Sequence, residues 1–352
     1  MRRLWYWPLL LLAAVLLPGA AFSQPAPHRI VAIGDLHGDN DAWLAIAKAA
    51  GLIDAKGKWT GGNATLVQMG DVVDRGPDSL KIIHHLQKLQ REAPKKGGKV
   101  IALLGNHEAM LMTHDYRYAH AGEIAAFADK QSEARRDKVY EANKDVIVAA
   151  YRKTTPNIAE VAVRSDWMRS KPLGMLEYEF AWSPQGDLGK WALGNPAIVK
   201  LGDTLFVHGG ISSAFAAIPI DEINRQVVAA LKAQDESPTA IINNPQGPLW
   251  YRGLIVRGDG DEATSAPVPP GAAAPLPIEQ EIDLALKNYG VKRIVVAHTP
   301  SLQGIIEEAG GKLWRIDSGN SRAYNGPPSY LEIIGDKVTA HKVARPQGGA
   351  WK

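Results

Sequence analysis

Short apolar runs, each rich in β-branched side chains and each closed by glycine and a polar residue, recur along the first third of the chain. HRIVAIGD (28–35), ATLVQMGD (64–71) and GKVIALLGN (98–106) have the length and composition of buried strands. DAWLAIAKAAGL (41–52) and SLKIIHHLQKLQREA (79–93) place their apolar residues at helical spacing, and a further helical stretch follows Glu108. This β, α, β alternation predicts an α/β sheet, whose ligands sit at the carboxyl ends of its strands.

The pattern then changes. From Ala109 to Trp191 the chain is charged and mostly helical in spacing, as in AGEIAAFADKQSEARRDKVYEANKDVIVAAYRK, which predicts a helical insertion over residues 109–191 capping one edge of the sheet. Two more strands follow: DTLFVHGG (203–210) and VKRIVVAHTP (291–300). Between them GDGDEATSAPVPPGAAAPLP (258–277) has the composition of a solvated loop. The tail predicts two hairpins, GIIEEAGGKLWRID and YLEIIGDKVTAHKV, turning at Gly310-Gly311 and Gly335-Asp336.

Composition adds bounds. With 352 residues, 45% hydrophobic and 22% charged, the chain has ample material for a core. The first residues order two arginines, an apolar run and small residues, the signature of a signal peptide over 1–23 cleaved before Gln24. Pro8 and Pro18 interrupt the run and leave its centre short for a bilayer, so no stable membrane insertion is expected after cleavage; uncleaved, the same segment is an anchor. The paired Arg2-Arg3 also permits twin-arginine export, although it stands very close to the start. The expected location is periplasmic or secreted, and residues 24–352 form the mature domain. Removing Arg2 and Arg3 lowers the formal charge from +3 to +1, which asks for no nucleic acid partner. Absence of cysteine excludes disulfides and thiolate metal ligands.

Five strand ends deliver Asp35 with His37, Asp71, Asn106, His208 and His298, all ligand types for hard or borderline divalent cations. Singly each has an ordinary explanation, a helix cap or a core histidine; together they share one topological position. Asp35 and His37, two apart on an extended backbone, would point to one side. Three acidic or amide groups and three histidines suit two metals better than one, with manganese, iron or zinc all acceptable. Such a pair lowers the pKa of a water held between them, making a nucleophile for phosphorus. Arg75 and Arg252 are candidate guanidinium forks for phosphate, against the commoner surface ion pair. Read as a strand neighbour of Asn106, His107 points the other way and would protonate a leaving oxygen, oriented by Asp74. Glu108 reads as structural, through a salt bridge; Asp78 reads as a first-turn acid, and His84 and His85 as solvated. The pattern does not decide which way His114 and His120 face.

The motifs GDLHGD (34–39), GDVVDRG (70–76), GNHE (105–108), HGG (208–210) and AHTP (297–300) resemble the phosphoprotein phosphatase branch of the calcineurin-like metallophosphoesterases, closest to the bacterial Shewanella-like protein phosphatases. The resemblance spans the mature chain. It implies a four-layer α/β/β/α sandwich in which Asp35, His37 and Asp71 hold one metal and Asp71, Asn106, His208 and His298 the other. It further implies His107 with Asp74 as proton donor pair, and Arg75, Arg252 and Asn106 as phosphate contacts. Ala297 stands where the family more often has glycine, and the segment from His107 to His208 is longer than in the eukaryotic serine/threonine enzymes. Their C-terminal Tyr-Cys pattern is absent too, so their substrate preference and toxin sensitivity do not carry over.

The expected function is a phosphomonoesterase for phosphorylated protein side chains, using a metal-bridging hydroxide. A hydrolase of dinucleoside polyphosphates or other small phosphoesters is the rival, but those enzymes resemble VARG and GNHD where this chain has VDRG and GNHE. An idle metal-binding domain is the third reading, opposed by the completeness of the ligand set.

Overall fold

The computed structural model describes residues 28–257 and 276–347. The expected signal segment, 1–23, and nearly all of the expected solvated loop, 258–277, lie outside the described residues. Two five-stranded mixed sheets form the centre. In the first, β1 (Arg29–Ile33), β2 (Thr65–Gln68) and β3 (Lys99–Ala102) run parallel, and β9 (Ser329–Ile334) and β10 (Lys337–Lys342) add an antiparallel hairpin beside β1, giving the order β10-β9-β1-β2-β3. In the second, β5 (Thr204–Val207), β6 (Arg293–Val296) and β8 (Leu313–Arg315) are parallel, flanked by antiparallel β4 (Ile198–Leu201) and β7 (Ile306–Glu308). Both predicted tail hairpins are present, as β7–β8 and β9–β10.

Period-two alternation explains the layering. Val31 and Ile33 of β1, Leu66, Val100, Leu205, Val207, Ile294 and Val296 belong to one large core with the helices. Their neighbours Ile30, Ala32, Val67, Ile101, Phe206, Val295 and Trp314 form a second core of strand and strand-end residues, the contact layer between the two sheets. Because every central strand is apolar on both faces, each sheet needs a cover on each side. Helix α1 (Asn40–Ala49) and helix α2 (Ser79–Glu92), which packs on β3, cover the first sheet; α9 (Ile220–Ala233) packs on β4, and α10 (Ile278–Tyr289) on β6 of the second. The result is the α/β/β/α order expected from the motifs. Truncating Phe206, fully buried between the sheets, to alanine is expected to cost about 3–5 kcal/mol, read as a lower urea midpoint without a change in slope.

Between β3 and β4 the chain runs through α3 (Asn106–Met112), α4 (Ala121–Ala125), α5 (Ser132–Thr154), α6 (Glu160–Ser170), α7 (Met175–Trp182) and α8 (Asp187–Leu193). This segment leaves the β3 edge of the first sheet and returns at the β4 edge of the second. Its buried face, including Tyr178, Trp182 and Leu188, joins the large core, while Trp191 Nε1 donates to Gln90 Oε1 of α2 at 3.2 Å. One histidine differs from expectation. His85 is half-buried, taking a hydrogen bond from Trp43 Nε1 at 2.9 Å and facing the Gly57 carbonyl at 2.8 Å, whereas His84 is exposed. Asp78 occupies the N-cap position itself and pairs with Lys81 at 2.6 Å. No helix among the described residues is long and apolar enough to cross a membrane.

Candidate active site

The parallel strands of both sheets end on one side of the sandwich, and there the predicted residues converge. Asp71 is the hub: its Oδ2 lies 3.9 Å from His37 Nε2, 3.8 Å from His107 Nε2 and 3.3 Å from His208 Nε2. Asp35 Oδ2 is 3.8 Å from His37 Nε2, and Asn106 Oδ1 is 3.0 Å from His208 Nε2. His298 completes a second group with Asp71 and His208. All of these side chains are buried.

The local backbone is shaped for this crowding. Asp35 and His37 converge through a turn, not along an extended strand, since His37 has φ 40 and its amide, like that of Leu36, donates to the Asp71 carbonyl at 3.0 Å. Asn106 and His107 likewise open helix α3 and are not strand neighbours, so the expected opposition of their side chains does not apply. Gly70 has φ 94, and a Cβ there would stand 2.5 Å from Gly105 N; a Cβ on Gly105 would stand 2.1 Å from Asp71 Oδ1. The two glycines therefore permit the β2 and β3 ends to touch. Glu108 is structural, but through backbone amides and not a salt bridge: its carboxylate accepts from Asp71 N (2.9 Å), Val72 N (2.8 Å) and Gly105 N (2.8 Å).

The imidazoles are oriented from behind. His37 Nδ1 faces the Val73 carbonyl at 2.9 Å and His208 Nδ1 the Met69 carbonyl at 2.7 Å. In each pairing Nδ1–H donates to the carbonyl, which leaves the Nε2 lone pair toward Asp71. Burial, reinforced by His107, pushes the His37 pKa down to about 3, and burial with His208 holds His298 well below its ordinary value, so both are neutral ligands. Burial lowers the His208 pKa too, but the charge and hydrogen bond of Asp71, with the Met69 carbonyl and Glu108, together raise the value. Burial acts to raise Asp71, yet His208 and His107 hold it well below the carboxylate range. His298 Nε2 is buried without a hydrogen-bond partner. An ionised carboxylate ringed by imidazole lone pairs, one of them orphaned, fits divalent cations on its own chemistry.

A cavity of about 630 Å³ opens onto this cluster. His37, Asp71, Asn106, His107 and His298 line it, with Arg75 and Arg252. The Arg75 guanidinium lies 4.5 Å from the Tyr118 ring centre and 5.2 Å from that of Tyr324. The Nε atoms of Arg75 and Arg252 are both buried without a partner, unlike the surface ion pairs that are the commoner fate of arginine. His107 Nδ1 and Asp74 Oδ2 are 2.5 Å apart, and Asp74 is fully buried. His114 lines the outer cavity; His120 caps α4 through Nδ1, which accepts from Gly122 N at 2.9 Å.

Several further residues stand at the site. Asp317, buried at the end of β8, raises the Asp35 pKa after burial has done so first, and is itself pushed up to about 6 by burial. It follows an apolar strand as the other site residues do, and that signal was available. Tyr118, Glu123 and Tyr324 carry no such mark.

The calcineurin-like phosphoesterase family model matches residues 28–302. Shewanella-like protein phosphatase 2 of Arabidopsis thaliana is 32% identical over 319 residues, covering 88% of this chain and 76% of its own. Shewanella-like protein phosphatase 1 of Plasmodium berghei is 28% identical over 317 residues, covering 89% and 73%. The crystal structure of the cold-active protein-tyrosine phosphatase of a psychrophilic Shewanella species matches with a TM-score of 0.63 at 22% identity, over 90% of this chain and 81% of that one, a likeness of fold. The chain belongs to the calcineurin-like phosphoesterases. It is a hydrolase of phosphoesters that uses divalent metal ions.

Proposed function

We propose that the protein is an exported protein phosphatase with two cations, held by Asp35, His37 and Asp71 on one side and by Asp71, Asn106, His208 and His298 on the other. The carrying observation is Asp71 Oδ2, within 3.9 Å of three imidazole nitrogens at the floor of an arginine-flanked cavity. Divalent cations there, whether manganese, iron or zinc, supply Lewis acidity toward a phosphoester and a water of lowered pKa as nucleophile. Arg75 and Arg252 bind the phosphoryl oxygens, their unpartnered guanidinium edges matching the fork geometry of phosphate. Asn106 contributes its amide to the same phosphate, and His107, steadied by Asp74, gives a proton to the leaving oxygen. A phosphorylated protein or peptide is the proposed substrate, supported by the protein phosphatase names of both relatives. Export is proposed on the order of charges, apolar run and small residues before Gln24.

The test is kinetics on matched phosphopeptides beside a dinucleoside tetraphosphate, with manganese added. Phosphopeptide kcat/KM is expected to exceed that of the dinucleotide by at least about 10²-fold, the range of discrimination a binding site supplies. The reverse order would replace the protein substrate by a small phosphoester.

A further inference from the structure

The turn that carries both Asp74 and Arg75 is held from outside the sandwich. Asp74 and Arg75 are consecutive non-glycine residues, both with φ 65. L residues keep that left-handed conformation in succession only when their surroundings impose it. Their amides go to one short stretch of the helical insertion. Arg75 N donates to the Tyr118 carbonyl at 2.9 Å, and Asp74 N donates to Glu123 Oε1 at 3.4 Å.

Glu123 is an unusual residue for such a place. It is 1% exposed and the one buried residue of α4. Around it stand Asp74, Ser79, the backbone of His120 and, from α7, Tyr178. Burial, then the Asp74 charge, pushes its carboxyl up to about 8. It is therefore a neutral acid at neutral pH, an acceptor for the Asp74 amide that brings no second negative charge beside the His107–Asp74 pair. Glu123 Oε2 and Asp74 Oδ1 are both buried without hydrogen-bond partners.

We infer that Glu123 is a positioning residue for the reaction: it holds the Asp74–Arg75 turn so that Asp74 orients His107 and Arg75 faces the phosphate. The inference rests on the phosphatase reading above. It assigns the insertion a share in the chemistry, since a residue of α4 sets the geometry of the proton donor. Loss of that geometry weighs most on esters whose leaving group needs the proton.

The test compares p-nitrophenyl phosphate, a good leaving group, with phenyl phosphate, a poor one, on manganese-loaded enzyme. Glu123→Ala is expected to lower kcat on phenyl phosphate about tenfold more than on p-nitrophenyl phosphate, as for a weakened general acid. Bound manganese per chain should be unchanged. Glu123→Gln, which keeps the acceptor oxygen without charge, is expected to restore the wild-type ratio. If Glu123→Ala does not fold, Glu123→Asp, too short to reach the Asp74 amide, replaces it under the same criterion. Wild-type protein that hydrolyses neither ester overturns the phosphatase reading and this inference with it. An active wild type with an unchanged ratio in the folded variant, or a Glu123→Gln as impaired as the shortened one, overturns the inference alone.

Discussion

Asp71→Asn is expected to lower kcat on an aryl phosphate by on the order of 10³-fold or more with manganese in excess, because it removes several kcal/mol of charge stabilisation at one stroke. The substitution is nearly isosteric. Its Oδ1 still accepts the His107 amide, now at 3.0 Å, and the backbone amides of Asp71 and Val72 still reach Glu108. What disappears is the negative charge shared among His37, His107 and His208. Without it, a cation at Asn106, His208 and His298 would meet only neutral donors, one at His37 would keep Asp35 alone as an acidic ligand, and their mutual repulsion would no longer be offset by a shared charge. Metal content by mass spectrometry should fall from two ions per chain toward one or fewer, while the far-ultraviolet spectrum stays that of the wild type. Undiminished turnover in the presence of manganese would remove Asp71 as the shared ligand and with it the two-cation reading.

The residues at the strand ends were legible because their signal is local. An apolar run followed by a ligand-type side chain, with a glycine between them at Asp35, Asp71 and Asn106, is enough to mark these three and His208 and His298, and parallel strands do the rest by ending on one side. Asp317 likewise follows a strand, LWRI, in the second arm of the first tail hairpin. What could not be read is backbone conformation imposed by distant neighbours. His37, Asp71, Asp74, Arg75 and His298 all have positive φ, a conformation uncommon for any non-glycine residue, which aspartate and histidine take more often than most and arginine does not. The contacts that hold Asp71, Asp74 and Arg75 come from Glu108, Glu123 and Tyr118, far along the chain. His85 fails for a related reason. Helical spacing places it beside exposed residues of α2, and only the packing of α1 brings Trp43 to its ring. The fold is thus written mostly in periodicity, whereas the fine shape of the site depends on close approaches between elements that periodicity does not describe.

His107→Asn is expected to cost about 10²–10⁴-fold in kcat on phosphoesters with poor leaving groups, with KM little changed, the scale of general acid catalysis. His107 lines the cavity beside Arg75, and its Nδ1 sits 2.5 Å from a fully buried Asp74 carboxylate. Burial acts to lower the imidazole pKa, but Asp71 and then Asp74 raise it above its ordinary value and favour the protonated ring. The Asp71 contribution is offset when cations share that carboxylate, which leaves Asp74 as the group that keeps the proton in place. Activity that needs protonated His107 is lost as pH climbs past its pKa. Removing the Asp74 charge lowers that pKa, so Asp74→Asn should move the alkaline limb of the kcat profile toward lower pH. The variants separate the two roles. His107→Asn should abolish the limb and lose rate at every pH on phenyl phosphate, but lose much less on p-nitrophenyl phosphate, whose leaving group departs without help. Equal losses on the two esters would instead make His107 a binding residue for the phosphate, and an alkaline limb unmoved by Asp74→Asn would assign it to another group.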